Sequence, residues 1–373
     1  MSLGTPYRHS RSIAYLKKHL QVPFYLLQDE NKIKLAPPTL NVPVIPKIYQ
    51  EVSERKTPLQ FIIRLDKGRA WGRNGAVITK ENVFLYELSR EFGIKKHFSE
   101  HSIYHSIFFK RSEYFDKKIA LVTTAGADVY YHWMLDILPR ILLLKKAGLF
   151  TDIEAFIINY KNLPFQKETL RLLNINESEI IKCNNKGFHV TAKQLFVPSL
   201  VSQLNKVNKY EINLLRKHFL VKDLTFKGFP RIYISRRKAN TRTVINEDEL
   251  INYLKKLNFE ILEMEEFTVS TQIQLFQRAK IIIGPHGSAF TNLVFSNPGT
   301  LFIELIPDTN IVPCFYNIAA QLYIKYYGFI SKGVPINNSC KNDNIQIDLS
   351  SFISFVEPIL NNIKISVELS LND

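Results

Sequence analysis

The sequence predicts an α/β protein of two domains, on three observations. The chain has 373 residues, which is long for one domain, and its 46% apolar residues can form sizeable cores. Between residues 231 and 305, short apolar runs alternate with amphipathic helical patterns. Such runs between helices are typical of a parallel sheet covered on both faces. We therefore expect a doubly wound, Rossmann-like domain there, with its ligand at the carboxyl ends of the strands.

The elements follow in chain order. Residues 5–60 are rich in proline, which disfavours long regular elements. A βαβ pattern comes next, and the polar stretch 202–210 is a candidate connection between domains. The predicted strands are 119–123, 155–158, 194–198, 231–235, 260–263, 280–283 and 301–305, and the predicted helices are 130–146, 248–257, 270–278, 288–295 and 350–363. We predict an N-terminal domain of residues 1–204, a C-terminal domain of 205–345, and a tail, 346–373, whose helix packs on the first domain.

The charge of the chain predicts an anionic partner. There are 49 Lys and Arg against 34 Asp and Glu, a net charge of +15, which favours phosphates, anionic lipid surfaces or nucleic acid. Three scattered cysteines, Cys183, Cys314 and Cys340, lack zinc-site or disulfide spacing, which favours a reducing compartment. No apolar run reaches the roughly 20 residues of a membrane-spanning helix, and no secretory signal layout begins the chain. We expect a cytoplasmic protein.

A glycine-containing loop is the first candidate site. It reads GPHGSAFTN from Gly284 to Asn292 and follows a predicted strand. Glycines at a strand-to-helix turn let backbone N–H groups approach an anion, and the helix that follows adds its positive dipole end. His286 and Ser288, on either side of Gly287, would add side-chain donors. A purely structural turn is the alternative.

A basic run is the second candidate. It comprises Ser235, Arg236, Arg237, Arg242 and Asn246, and it begins where the first C-terminal strand ends. Arginine guanidiniums pair bidentately with phosphate oxygens and stay charged. The alternative is a solvated basic loop.

Two carboxylates complete the set. Asp136 follows His132 by four residues in the predicted helix, so it can fix the imidazole tautomer or act as a base. A buried pair that only orients two elements is an equal alternative. Glu304 lies in the predicted strand 301–305, where a carboxylate can accept hydrogen bonds from ribose hydroxyls; an acidic surface residue is the alternative.

Common nucleotide and hydrolase motifs are absent. The sequence has no P-loop, GxGxxG, HExxH or GxSxG pattern, and no Asp-x-Asp after a strand to hold a divalent metal on a nucleotide-sugar diphosphate. We therefore expect no metal site and no cofactor. Arginine and backbone donors would then neutralise any departing diphosphate.

In this order, the motifs resemble the family 61 glycosyltransferases, a capsular polysaccharide biosynthesis family. The resemblance covers about residues 118–306, with YYHWMLDILPR at 130–140, ISRR at 234–237, NEDEL at 246–250 and GPHGSAFTNLVF at 284–295. It implies a GT-B-like fold, in which two Rossmann-like domains face a cleft. It also implies metal-independent, inverting transfer from a nucleotide sugar, a UDP-sugar, to a glycan or lipid-linked glycan acceptor.

The resemblance also implies roles for individual residues. The donor-binding set is Ser235, Arg236, Arg237, Arg242, Asn246, Gly284, His286, Gly287, Ser288, Asn292 and Glu304. Within it, Arg237 and Arg242 are assigned to the diphosphate and Glu304 to the ribose. Asp136, or its pair with His132, is the catalytic candidate. The family's usual His-Gly-Ala-Gly is His-Gly-Ser-Ala at 286–289 here, which alters the turn that would hold the phosphates.

Two other functions compete with this interpretation. A basic nucleic-acid-binding protein would match the charge, but no RNP, zinc-finger or helix-turn-helix pattern occurs and the basic residues are spread along the chain. We therefore expect no nucleic-acid partner. A catalytically inactive nucleotide-binding protein would share the same motifs. For a glycosyltransferase working on a lipid-linked glycan, adhesion to the anionic inner face of a membrane would account for the remaining charge.

Overall fold

The computed structural model describes residues 22–91, 100–106, 109–203, 205–336 and 343–369, with side chains up to residue 361. Cys340 and the predicted domain limit at residue 204 lie outside these ranges. The strands are β1 (Phe24–Gln28), β2 (Lys32–Lys34), β3 (Thr39–Leu40), β4 (Glu54–Lys56), β5 (Gln60–Asp66), β6 (Arg69–Trp71), β7 (Ala76–Ile78), β8 (Glu113–Leu121), β9 (Ala155–Ile158), β10 (Ile180–Lys182), β11 (His189–Pro198), β12 (Arg231–Ile234), β13 (Glu260–Leu262), β14 (Ile281–Pro285), β15 (Leu301–Pro307), β16 (Lys325–Val334) and β17 (Asn344–Gln346).

The helices alternate with these strands over most of the chain. They are α1 (Lys47–Ser53), α2 (Tyr130–His132), α3 (Leu138–Lys146), α4 (Pro164–Leu172), α5 (Lys209–Phe219), α6 (Glu247–Lys256), α7 (Val269–Arg278), α8 (Cys314–Gln321) and α9 (Leu349–Leu369). A π-helical segment, Trp133–Ile137, joins α2 to α3. The predicted helix 288–295 is a 3₁₀ helix, Ser288–Phe295. The other predicted elements of the C-terminal half are confirmed at nearly the predicted bounds.

The chain divides into two compact units. The first contains the described residues up to Ile33 together with Arg55–Leu220, and the second contains Lys34–Glu54 together with the described residues from Val221 onward. The polar stretch 202–210, expected to connect the domains, lies within the first unit and runs into α5. The second unit therefore takes in an early segment that the sequence did not assign to it.

A mixed sheet forms the first unit. Its strand order is β1-β5-β11-β8-β9-β10. In addition, β6 pairs with β11, and β7 pairs with β6. The pairs from β11 through β8 and β9 to β10 are parallel, whereas β1, β5 and β6 pair in antiparallel fashion. The βαβ prediction is thus confirmed for part of the sheet. This unit does not contain a wholly parallel Rossmann-like sheet, because β1, β5, β6 and β7 form antiparallel pairs.

A largely parallel sheet forms the second unit. Its order is β13-β12-β14-β15-β16-β17, in which only β17 pairs in antiparallel fashion among the described strands, and β3 pairs in parallel with β16. Both faces are covered, as predicted. Leu250 of α6 and Phe352 of α9 pack with Ile283 and Ile303 in one core cluster, while Phe290 contacts Phe302 with ring centroids 4.7 Å apart.

The last helix packs in the second unit. Phe352, Val356 and Leu360 of α9 belong to the core cluster of that unit, whereas we expected the helix to pack on the first domain. An apolar face repeating at helical spacing explains the contact. Within the described residues, no helix combines the length and apolarity needed to cross a membrane.

Candidate functional site

The strand order of the second unit brings the two predicted donor loops together. β12 pairs with β13 on one side and β14 on the other, so the chain reverses direction across the sheet between β12 and β14. Ligands of open parallel sheets bind at such a switch point, beyond the carboxyl ends of the strands. The loops starting at Ser235 and His286 emerge there. Gly284 allows the close approach, since a Cβ atom at this position would lie 2.7 Å from the Ile234 carbonyl oxygen.

Arg236 and Arg242 form the positive centre of this site. Arg236 packs against Gly287, where any Cβ atom would overlap its guanidinium, and its Nη2 donates to the Thr241 carbonyl at 3.0 Å. Burial and the neighbouring Arg242 lower the pKa of Arg236 to about 10. The Nε atoms of both arginines are buried, and no described residue accepts a hydrogen bond from either.

Arg242 also has an unusual backbone. Its φ angle is 55°, in the left-handed region that costs a non-glycine residue roughly 1 kcal/mol. Burial lowers the pKa of its guanidinium, while Cys314 and Glu304 act in the opposite direction. A strained backbone that holds a partly buried cation with an unsatisfied Nε is typical of a functional position.

Arg237, to which the diphosphate was also assigned, pairs with two acidic side chains of α6. Its Nε lies 3.3 Å from Glu247 Oε2 and its Nη2 lies 2.5 Å from Asp248 Oδ1. Glu247 also accepts hydrogen bonds from Ser235 Oγ at 3.1 Å and from the Tyr233 hydroxyl at 2.8 Å. Arg237 and Ser235 therefore anchor the end of β12 to α6. The guanidinium that lies against the glycine loop is that of Arg236.

His286 is held by a buried polar chain. Its Nδ1 lies 2.5 Å from Glu304 Oε1, and Tyr326 donates to Glu304 Oε2 at 2.7 Å. The Tyr49 and Tyr326 hydroxyls are 3.2 Å apart. Glu304 is fully buried with both oxygens engaged, so it orients His286 and does not fit the ribose role predicted for it. Burial, with Glu304 and Tyr49, raises the pKa of Tyr326 well above its usual value.

Three further donor-site candidates have other contacts. The Asn246 side chain forms two hydrogen bonds with the backbone of Ile347: it donates to the carbonyl at 2.8 Å and accepts from the N–H at 3.1 Å. Asn292 is buried and donates to Gln272 at 2.8 Å. Ser288 begins the 3₁₀ helix and is half-buried. Asn246 and Asn292 therefore stabilise the loops, while Ser288 lies in the turn itself.

The first unit contains the predicted histidine–aspartate pair. His132 Nδ1 lies 2.7 Å from Asp136 Oδ2. Two residues that the sequence did not single out also contact the carboxylate. Arg90 Nη1 donates to Asp136 Oδ1 at 2.8 Å, and Ser202 Oγ donates to the same oxygen at 3.1 Å. Arg90 also donates to the Ser202 carbonyl.

These contacts decide the protonation of Asp136. Burial raises the pKa of this carboxyl, but Arg90, His132 and Ser202 outweigh burial and hold the pKa below its usual range. Asp136 is thus an anion and a weak base. The His132 ring is more exposed than Asp136, with 18% against 6% of the side chain accessible. With Nδ1 against the carboxylate, Asp136 can fix the orientation of the imidazole, and Nε2 is the ring nitrogen that it does not contact.

The helix that carries the pair is locally widened. Asp136 lies in the π-helical segment Trp133–Ile137, and Pro139 follows in the first turn of α3. Proline cannot donate a backbone hydrogen bond to the preceding turn, and the widened turn accommodates it without breaking the helix. Buried Arg140 connects the segment after β8 to the end of β11. It donates to the Thr123 carbonyl at 2.5 Å and to the Pro198 carbonyl at 2.9 Å.

Some residues that contact the predicted site residues could not be identified from the sequence. Arg90 and Ser202 lie far from Asp136 in sequence and carry no motif, and Tyr326 is one tyrosine among 17. Within the ranges that the structure describes, no three His, Cys, Asp or Glu side chains converge as a metal site would require.

Residues 130–303 match the sequence model of the Glycosyltransferase 61 family. This segment of the chain belongs to that family. The family 61 segment carries His132, Asp136, both arginines and the glycine loop, whereas Arg90 lies before it and Glu304 just after it.

Curated relatives match shorter stretches. A xylan glycosyltransferase of Arabidopsis thaliana is 30% identical over 73 residues, 19% of this chain and 15% of the relative. An alpha-1,3-arabinosyltransferase of Oryza sativa subsp. japonica is 34% identical over 82 residues, 21% of this chain and 14% of the relative. The matched stretches thus span about a seventh of each relative's length.

Proposed function

We propose that the protein is a glycosyltransferase that moves a sugar from a nucleotide-sugar donor, a UDP-sugar, to a glycan acceptor. One observation carries the proposal above the others. Arg236 and Arg242 place two partly buried guanidiniums, each with a buried Nε that has no partner among the described residues, beside the glycine loop at a topological switch point. A diphosphate supplies the oxygens that such donors lack.

The arginines would act on the leaving group. As the bond between the anomeric carbon and the phosphate oxygen breaks, its electron pair stays on the diphosphate. Arg236, Arg242 and the amides around Gly287 stabilise that charge, which takes the place of a divalent metal. His286, fixed by Glu304, adds a donor to the same edge of the sheet.

His132 would act on the nucleophile. Its Nε2 accepts the proton of an acceptor hydroxyl as the oxygen attacks the anomeric carbon from the side opposite the diphosphate. The configuration at that carbon is therefore inverted. The Asp136 carboxylate, held by Arg90 and Ser202, stabilises the imidazolium that forms. The proposal includes the GT-B-like arrangement, in which the two domains face a cleft.

The biological setting is part of the proposal. The relatives that match are named for work on xylan and for arabinosyl transfer, which supports a polysaccharide or other glycan acceptor. We propose capsular or other cell-surface polysaccharide synthesis, by a cytoplasmic protein at the inner face of an anionic membrane. The net charge of +15 favours that surface.

Donor binding is tested by thermal unfolding with nucleoside diphosphates and nucleotide sugars in the presence of EDTA. We expect UDP to raise the melting temperature, and Arg242→Gln to weaken UDP binding about tenfold or more, since it removes a hydrogen bond to a charged group. Lys238→Gln is the matched control, because Lys238 is exposed and paired with Glu263 and Glu266. The assignment fails if no nucleotide stabilises the protein, or if both variants lose binding equally.

Catalysis is tested by incubating the protein with nucleotide sugars and detecting slow donor hydrolysis by mass spectrometry. NMR of the first sugar released gives the stereochemistry. Inversion is expected. Binding without any hydrolysis would identify an inactive nucleotide-binding protein, and a salt-sensitive gel shift with DNA or RNA would favour a nucleic-acid-binding protein.

A further inference from the structure

A basic cavity in the first unit has no part in the proposed transfer reaction. It has a volume of about 350 Å³ and lies between the C-terminal end of α3 and helix α5. Its lining includes Lys145, Lys146, Tyr210, Lys217 and His218. None of the described residues that line it is acidic, so its positive charge is not neutralised from within.

Lys145 is held in position at this cavity. Its Nζ donates to the Leu173 carbonyl at 3.0 Å and lies 4.4 Å from the centroid of the Phe150 ring. Burial lowers the pKa of the Lys145 ammonium, so a partner of opposite charge would stabilise its charged form. An ammonium has three donors, and the Leu173 carbonyl takes one of them.

Tyr210 supplies a second, independent sign of a ligand. Its hydroxyl is buried, and no described residue forms a hydrogen bond with it. The Lys146 ammonium lies over the Tyr210 ring, 4.4 Å from its centroid, which places a cation against this side chain. A buried hydroxyl without an acceptor is unfavourable, and an oxygen of a bound anion would remove the penalty.

The rest of the cavity fits an anion of moderate size. His218 Nδ1 lies 2.9 Å from the Leu214 carbonyl within the same helix, which fixes the ring, and Lys217 is exposed at the rim. A water molecule occupies about 30 Å³, so the cavity is larger than a bare phosphate needs. It has room for the group to which a phosphate is esterified.

We propose that this cavity binds a phosphate ester, carried either by a lipid headgroup or by a soluble sugar phosphate. Lys145 and Lys217 pair with phosphate oxygens, and the Tyr210 hydroxyl donates to another. Bound lipid would anchor the protein to a membrane. Bound sugar phosphate would make the cavity a site for a soluble ligand.

An experiment with two arms distinguishes a lipid headgroup from a soluble sugar phosphate. In the first, glucose 1-phosphate, a soluble sugar phosphate, is titrated against the full chain by calorimetry. In the second, the protein is sedimented with phosphatidylcholine vesicles that contain or lack phosphatidylglycerol. We expect Lys145→Gln to weaken whichever interaction occurs by about tenfold, because one charge-assisted hydrogen bond is lost. Tyr210→Phe should weaken it less, and should not lower the melting temperature of the free protein.

Lys167→Gln is the control, because it removes the same charge from an exposed position on α4. Binding in the first arm identifies a soluble ligand, and binding in the second alone identifies a headgroup. No binding in either arm, or equal weakening by Lys167→Gln, overturns the proposal. Stabilisation by UDP reports separately on the donor site, so it shows that each variant is folded, and its failure would count against the proposed function instead.

Discussion

Asp136 in the first unit is a buried charge and the Arg236–Arg242 pair in the second is a partly buried one, and their surroundings are opposite. The carboxylate receives hydrogen bonds from Arg90 and Ser202 and contacts His132. The two guanidiniums lie near each other, and each keeps an Nε without a partner in the described part of the chain. The first cluster is complete in the protein itself, which suits a group that positions a base. In the second, each guanidinium keeps a hydrogen-bond donor that the described residues do not satisfy, which suits a binding site.

The largest expected effect comes from His132→Gln. Loss of a general base should lower the rate of transfer by about a thousandfold. Because the donor cluster is untouched, UDP should still raise the melting temperature as in the wild type. Steady-state rates and thermal unfolding measure the two properties. If UDP binding falls as far as the rate does, the His132 cluster is not specialised for catalysis.

Arg90→Gln tests whether the first cluster depends on its counter-charge. Removing one partner of a buried ion pair costs about 3 kcal/mol of stability, measurable by urea unfolding at pH 7. The wild-type Asp136 pKa is depressed, so its contribution to stability is present above the unfolded value of about 3.9 and is lost as pH falls through the folded value.

The same variant should change the pH profile of activity. Without Arg90, burial dominates and the Asp136 pKa rises, so the acid limb of the rate profile should move to higher pH. Arg64→Gln, a half-buried surface arginine beside Asp66, is the control. An unmoved acid limb would show that Asp136 does not govern the activity of His132.

Variants of two adjacent arginines test which side chain of the second unit binds the diphosphate. Arg236→Gln should weaken UDP binding about tenfold, since it removes the cation that packs against Gly287. Arg237→Gln should have a much smaller effect, because Glu247 and Asp248 already hold that guanidinium and half of the side chain is exposed. Calorimetric titration of each variant with UDP measures the two effects. The reverse order would restore the assignment made from the sequence.

The smallest expected effect is that of Tyr326→Phe. It removes the hydroxyl that donates to Glu304 and lies beside Tyr49, at a cost of about 1 kcal/mol in the free energy of unfolding. Tyr327→Phe, at a half-buried neighbouring position, is the control. UDP binding should weaken slightly, because His286 is less firmly held. Unchanged stability would contradict the importance of the buried polar chain.

Much of the second unit could be predicted from the sequence because its signals are local. Each apolar strand and amphipathic helix depends on neighbouring residues alone, and strand ends show which loops share an edge. The first sheet was harder to predict from the sequence, because β5 pairs with β11 across a long stretch of chain. The segment 34–54 gave no sign that β3 would join β16, because two-residue strands have no periodicity.

The residue types of the site were predictable, whereas their partners were not. Arg236 and Arg237 are neighbours, and only the three-dimensional course of the loop decides which one turns toward Gly287. Glu304 pairs in register with Gly284, and that pairing directs its carboxylate to His286 and not to a ligand. No local pattern contains that information, since it depends on how two strands align.

The early segment 34–54 has a practical consequence for dividing the protein. It supplies Tyr49 to the buried polar chain, and the Asn41 side chain forms two hydrogen bonds with the backbone of Ile330. A fragment starting at Val221 would lack these contacts and would expose one edge of β16. Proteolytic nicking after Leu220 should therefore leave two pieces that stay associated through residues 34–54 until a denaturant separates them.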